Sequence, residues 1–341
     1  MVRVVGFVVG EAFDTERPNW DGSGPRPLKW AAWYPAVDQA KVDLQSRSSR
    51  FLAEPVAREA AAHGDAGRYP VVLLSHGTGG VAEGLEWLGR RLAQEGFVAL
   101  GVNHHGNTGS EPYRAEGFLC LWERARDLSV LLEHPDWRGQ LSIELQRRAH
   151  VAGFSAGAYT AMLMLGARVS YSQFEEANPV RSPIRGPREF PNLADELPDL
   201  LERNPLFRQS WERRSASYAD ERFLSAVVIA PGRSVRGFAP DSLAKITKPV
   251  SIIVGDADAE APAAECSAWL HGQIPGSELE ILRNGVGHYT FLPEPTLIGL
   301  SEAPEVFADD PRADRKSIHD YVAKKAEVVF KRASEPSPPA Q

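Results

Sequence analysis

The chain has 341 residues, 43% hydrophobic and 24% charged, an ordinary globular composition with ample material for a core. Its 38 basic and 45 acidic residues leave a formal charge of −7, so no basic footprint recommends nucleic acid as a partner. Cys120 and Cys266 imply no disulfide framework and sit in no metal-ligand spacing. No run of about twenty apolar residues indicates a membrane span. The N-terminus, MVRVVGFVVGEAFD, lacks the apolar length and cleavage site of a signal peptide, so a cytoplasmic protein is expected, a removed leader aside.

Taken in order, Val2–Val9 is rich in β-branched residues and reads as an edge strand. Asp21–Pro27 is a turn cluster, and Leu28–Tyr34 is a second strand closed by Pro35. Lys41–Gly67 is polar and mixed, with a short helix expected at Phe51–Ala62. Val71–Ser75 (VVLLS) is a buried strand, broken by His76-Gly77-Thr78-Gly79-Gly80 and followed by an amphipathic helix over Gly84–Glu95. Phe97–Val102 is the next strand, and Leu121, Ala125, Leu128 and Leu132 define a helix face over Leu121–His134. Strand character returns at Val151–Phe154, Ser225–Ala230, Val250–Val254 and Glu278–Leu282. A last helix face runs through Ile318, Val322, Ala326 and Val329 to Phe330.

About eight strands thus alternate with helices, which argues an α/β fold with a mostly parallel sheet covered on both faces. Tyr171–Arg222 interrupts the alternation with six prolines, many charges and scattered apolar residues. It reads as a small helical insertion, a lid, over the carboxyl edge of the sheet. The expected division is therefore a core of 1–170 and 223–332, an insertion of 171–222 and a disordered tail of 333–341.

The chemistry centres on Ala149–Leu165 (AHVAGFSAGAYTAMLML), where Gly153-Phe154-Ser155-Ala156-Gly157 matches G-x-S-x-G between a strand and a helix. Such a turn is too sharp for side chains two residues either side of the serine, and it lifts the hydroxyl clear of the sheet. A serine needs a base, and the base an orienting acid. The acid lies in Asp256-Ala257-Asp258, after the Val250–Val254 strand. Asp258 is preferred because it is further past the strand end, while Asp256 could instead brace the loop. The base is His288, exposed among glycines after the last strand, which gives the order Ser, Asp, His. One oxyanion donor is the N–H of Ala156, and the other comes from the loop after Val71–Ser75, where Thr78 is chosen with Gly77 and Gly79 as alternatives.

Gly77-Thr78-Gly79-Gly80-Val81-Ala82 also matches the dinucleotide pattern G-x-G-x-x-A, but no acid follows the next strand to hold a ribose. His76, His104 and His105 invite a zinc site, yet no carboxylate accompanies them at ligand spacing. They are expected to shape the pocket or brace the oxyanion loop. His76, His104, Phe154 and Tyr289 are candidate pocket residues, whereas core packing suits Trp87 and Tyr159 better.

Leu73-Leu74-Ser75-His76-Gly77-Thr78-Gly79, Gly153–Gly157 and Gly287-His288 resemble the α/β-hydrolase fold. Trp33-Tyr34-Pro35, Asn103–Thr108, Asp314-Arg315 and Ile318-His319 are similar to motifs of bacterial esterases related to platelet-activating-factor acetylhydrolase, often labelled dienelactone-hydrolase-like. The resemblance spans roughly Leu28 to Phe330 and is weakest across the insertion. It implies Ser155, Asp258 and His288 as a triad, Thr78 and Ala156 as oxyanion donors, and no cofactor. True dienelactone hydrolases carry cysteine at the elbow, so Ser155 argues for ordinary carboxylic esters. The expected function is a serine esterase acting on short to medium acyl esters of small molecules. An acyltransferase on the same fold and a non-catalytic binding protein are the alternatives.

Overall fold

Successive residues of the central apolar runs face opposite sides, so each run is buried twice. In the computed structural model, which describes residues 3–44, 48–64, 68–175, 178 and 186–335, these runs build one mixed sheet. Its strands are β1 (Val5–Pro18), β2 (Pro25–Pro35), β3 (Ala57–Arg58), β4 (Tyr69–Ser75), β5 (Val98–Asn103), β6 (Leu145–Phe154), β7 (Phe223–Ile229), β8 (Val250–Gly255) and β9 (Glu278–Leu282). Their spatial order is β3-β1-β2-β5-β4-β6-β7-β8-β9. β2 runs antiparallel to β1 and β5, and the other pairings are parallel.

The two faces are legible residue by residue. Val71, Leu73, Val151 and Ile252 join one core with the helices Glu123–Glu133 and Ala156–Met164. Val72, Leu74, Ala152 and Ile253 join the other, with the helices Glu86–Gln94 and Arg315–Ser334. Trp87 belongs to the second core, with its indole N–H donating to the Phe291 carbonyl, and Tyr159 stacks on Phe238 in the first.

Several sequence expectations shift. The first strand is longer than expected and is not the edge, because β3 pairs beside it; of its expected span, Val2 lies outside the described residues. Phe51–Ala62 is not helical. It is extended chain held by β3 and by bridges from Val56 to Asp43 and Phe51 to Pro295, because Pro55 interrupts the run and disfavours helix at the residue before it. This short strand makes nine where about eight were expected. β6 begins at Leu145, earlier than its apolar run, and the last helix continues to Ser334. Most of the expected tail lies outside the described residues.

Within 171–222, part of which is also outside the described residues, the helices Leu193–Arg203 and Pro205–Glu212 pack through Leu193, Phe207 and Trp211. Trp211 meets Trp122 edge-on at 5.4 Å, and the Trp122 indole N–H donates to Ser210.

A buried charge cluster joins the β1–β2 hairpin to the helix Glu123–Glu133. Asp127, fully buried, accepts from Arg17 at 2.6 Å and from Arg26 at 2.7 Å. Burial alone would raise the Asp127 carboxyl, but Arg26 and Arg17 hold it well below the usual carboxylate range. Removing one member leaves buried opposite charge uncompensated. Asp127→Ala is therefore expected to cost about 3–5 kcal/mol in urea unfolding, and an unchanged midpoint would refute the cluster's role.

Candidate active site

β6 delivers Ser155 at its carboxyl end, and the helix Ala156–Met164 starts at the next residue. Ser155 has φ +53° and ψ −112°, a strained conformation for a residue with a side chain. The flanking glycines make it attainable. A Cβ at Gly153 would overlap the Gly157 carbonyl, and one at Gly157 would overlap the carbonyl of Ser75 at the end of β4. The Ser155 N–H donates to Ile229 of β7 at 2.9 Å. The N–H of Ala156, at the first helical position, has no intrahelical acceptor and sits at the positive end of the helix.

His288 Nδ1–H donates to Asp258 Oδ2 at 2.8 Å, which leaves Nε2 free to accept from the Ser155 hydroxyl at 3.0 Å. Both His288 and Asp258 are buried. The other Asp258 oxygen accepts from the Ala261 N–H at 2.7 Å. Asp256 does not touch His288. Its Oδ1 accepts the N–H groups of Gly285 and Val286, at 3.0 and 3.2 Å, and ties the acid loop to the base loop.

The turn His288–Phe291 is clamped by groups to which the sequence reading assigned no role. The Gly287 N–H donates to Thr290 Oγ1 at 3.2 Å, and that hydroxyl donates to Asp309 at 2.7 Å. Arg315 grips Asp309 and the carbonyls of Leu292 and Pro293. His319 Nε2–H donates to the Thr290 carbonyl at 2.9 Å while its ring stacks on Trp87 at 4.1 Å. The signal was a buried charge and a histidine on the last helix beside its apolar stripe.

After β4, the Gly79 N–H is spent on Asn107 Oδ1 at 2.7 Å. The N–H groups of Gly77 and Thr78 take no partner among the described residues. His76 Nδ1–H donates to the Gly77 carbonyl at 2.7 Å, and its Nε2 accepts the His104 N–H at 3.3 Å.

His104, a candidate pocket residue, does not reach the cavity. It is fully buried behind the loop, between Ser75 Oγ at 2.9 Å and Asp127 at 3.0 Å. His105 pairs with Glu111 at 2.7 Å. These rings are committed to neighbours, and no group of three or more metal-binding side chains occurs among the described residues.

The cavity over Ser155 measures about 1180 Å³. His76, Thr78, Phe154, His288 and Tyr289 line it near the serine. Phe118, Leu121, Phe174 and Leu193 also line it, as do Phe51 and Phe307, whose rings meet edge-on. No helix among the described residues is long and apolar enough to cross a membrane.

The sequence matches no protein-family model and no curated protein. Solved structures are similar. A ferulic acid esterase from Streptomyces cinnamoneus superposes with a TM-score of 0.61 at 16% identity, over 99% of this chain and 93% of that one. A CIB-like hydrolase from Thermoplasma acidophilum (TM-score 0.45, 12% identity, 95% and 100% covered) and a cold-adapted esterase from an Arctic intertidal metagenomic library (0.45, 14%, 93% and 94%) also align. The chain has the α/β-hydrolase fold.

Burial pushes His76 well below its ordinary 6.5, takes His104 and His319 to about 3, and His150 to about 4. His150 is held by Ser225 and Ser334 at 2.9 and 3.0 Å. The folded protein keeps these rings neutral while the unfolded chain binds protons below 6.5. Their contribution is thus complete above about pH 6.5 and is lost progressively as pH falls toward about 3. Urea unfolding is expected to show at least about 1 kcal/mol less stability at about pH 5 than at about pH 7.5, and equal stability would contradict this.

Proposed function

We propose that the protein is a serine carboxylic-ester hydrolase that works through an acyl-enzyme on short to medium acyl esters. The observation that carries this reading is the hydrogen-bonded chain from Ser155 through His288 to Asp258 beneath the cavity. His288 Nε2 takes the proton as Ser155 Oγ attacks the ester carbonyl. Asp258 fixes the tautomer and stabilises the imidazolium. The N–H groups of Ala156 and Thr78 receive the negative charge that develops on the carbonyl oxygen. The imidazolium then protonates the departing alcohol. Water, activated by His288, releases the acid.

The cavity exceeds what a short acyl group fills, which supports medium chains and a bulky alcohol. Phe174 and Leu193 on its wall support a lid role for 171–222 over a core of 1–170 and 223–332. The narrower likeness to esterases related to platelet-activating-factor acetylhydrolase rests on sequence motifs, and serine at the elbow supports ordinary esters over dienelactone. The fold neighbour described as a ferulic acid esterase adds a feruloyl ester to the compounds worth assaying. Cys120 and Cys266, both buried free thiols, suit the cytoplasm.

Hydrolysis of p-nitrophenyl esters from acetate to laurate tests the reading. Activity is expected on the short to medium chains and is expected to fall toward laurate. Ser155→Ala and His288→Ala should lower kcat by about 10⁴ or more, and Asp258→Asn by about 10⁴. Asp256→Asn should cost far less. Full turnover in Ser155→Ala would end the proposal, and loss confined to Asp256→Asn would reassign the acid.

A further inference from the structure

Arg124 is 1% exposed, on the first turn of the helix Glu123–Glu133. The nearby arginines 17 and 26 each hold a carboxylate. Arg124 has none within ion-pair distance among the described residues, and its Nε and Nη1 have no hydrogen-bond partner there. Its Nη2 donates to the His76 carbonyl and to Ser75 Oγ, the latter at 3.3 Å. Burial lowers its proton affinity, to about 9, so the guanidinium is still charged at neutral pH. Asp127 attracts the charge from beyond ion-pair distance, but a buried cation with no carboxylate paired to it costs stability, and an apolar residue of similar volume would serve packing better.

We propose that Arg124 is the positioning residue of the oxyanion loop, holding its peptides with their N–H groups toward Ser155 and placing a positive charge behind them. The inference rests on the serine-hydrolase reading. In a trans peptide the C=O of one residue and the N–H of the next point in opposite directions. Drawing the His76 carbonyl into the interior therefore sends the Gly77 N–H toward the cavity.

The Gly77 carbonyl is held in turn by His76 Nδ1–H and, at 3.2 Å, by the Gly80 N–H, which sends the Thr78 N–H outward too. His76 can do this only as a neutral ring, because Nε2 must accept from His104. Burial and the Arg124 charge both keep it neutral. The loop abuts the nucleophile: a Cβ on Gly77 would lie 3.5 Å from Ser155 Cβ. Arg124 acts through the backbone, and the donors it sets are realised when charge develops on the substrate oxygen.

Steady-state kinetics on p-nitrophenyl butyrate with Arg124→Met, Arg124→Lys and Arg26→Met, each with a measured Tm, tests this. Arg124→Met is expected to keep or raise the Tm, lower kcat by about 10–10² and leave KM within about twofold. Arg124→Lys, which keeps the charge, should regain about tenfold of that loss. Arg26→Met breaks the pair with Asp127, which bears on the loop only indirectly, through His104, and leaves Asp127 held by Arg17, so it should lower the Tm and cost kcat clearly less than Arg124→Met does. If Arg124→Met does not fold, Arg124→Gln, a shorter donor without charge, should still lower kcat by about threefold or more.

Wild-type kcat in Arg124→Met or in its substitute, an effect on KM alone, or an equal kcat loss in Arg26→Met would overturn the inference. A folded wild type that hydrolyses no ester and is not labelled by a fluorophosphonate would instead overturn the parent reading, and this inference with it.

Discussion

The contact between Gly157 and the Ser75 carbonyl sets the spacing of everything at the site. β4 and β6 are neighbours, with Ser75 opposite Gly153 in register. Their carboxyl ends give rise to the elbow and to the loop 76–80, which meet where Gly77 abuts Ser155. Only a residue without a Cβ lets the helix Ala156–Met164 start this close to β4. The same approach forces Ser155 into its left-handed conformation, with φ +53°. The strain is tolerated because the elbow is held on several sides, by β4, by β7 through the Ile229 carbonyl, and by a helix buried on every face.

Around that fixed point the remaining groups are held from behind. The loops carrying Asp258 and His288 are stapled to each other by Asp256, so the distance from Asp258 to His288 does not depend on either loop alone. The turn carrying His288 is anchored to the last helix through Thr290, Asp309, Arg315 and His319. On the opposite side, Asp127 fixes His104, which meets Ser75 and His76 below the loop that follows β4. Two carboxylates two residues apart in sequence thus have different work. Asp256 receives backbone N–H groups, and Asp258 receives the imidazole.

Much of this was legible in the sequence because it is local. The strand at Val71–Ser75 and the turn at Gly153–Gly157 are written in contiguous residues, and the order of Ser155, Asp258 and His288 follows chain topology. The choice between Asp256 and Asp258 could only be argued from distance past the strand. What was missed is non-local. Arg124 reads as one more charge at the start of an amphipathic helix, and only the fold brings it beneath His76. Arg315 and His319 lie on the last helix, yet the carbonyls of Leu292, Pro293 and Thr290 that they hold are over twenty residues earlier in the chain. β3 was misread as helix because its pairing with β1 depends on residues about fifty positions away. His104 was expected at the pocket because it follows a strand end. It is turned inward instead, since Asp127 and Ser75 satisfy both ring nitrogens in the interior.

The central claim is that this elbow makes Ser155 a nucleophile. Intact mass and peptide mapping after brief treatment with a fluorophosphonate at neutral pH test it most directly. The account predicts a single stoichiometric adduct on Ser155, formed by the folded protein and abolished by denaturation or by His288→Ala. A folded protein that takes up no label, or takes it up on another residue, would contradict it.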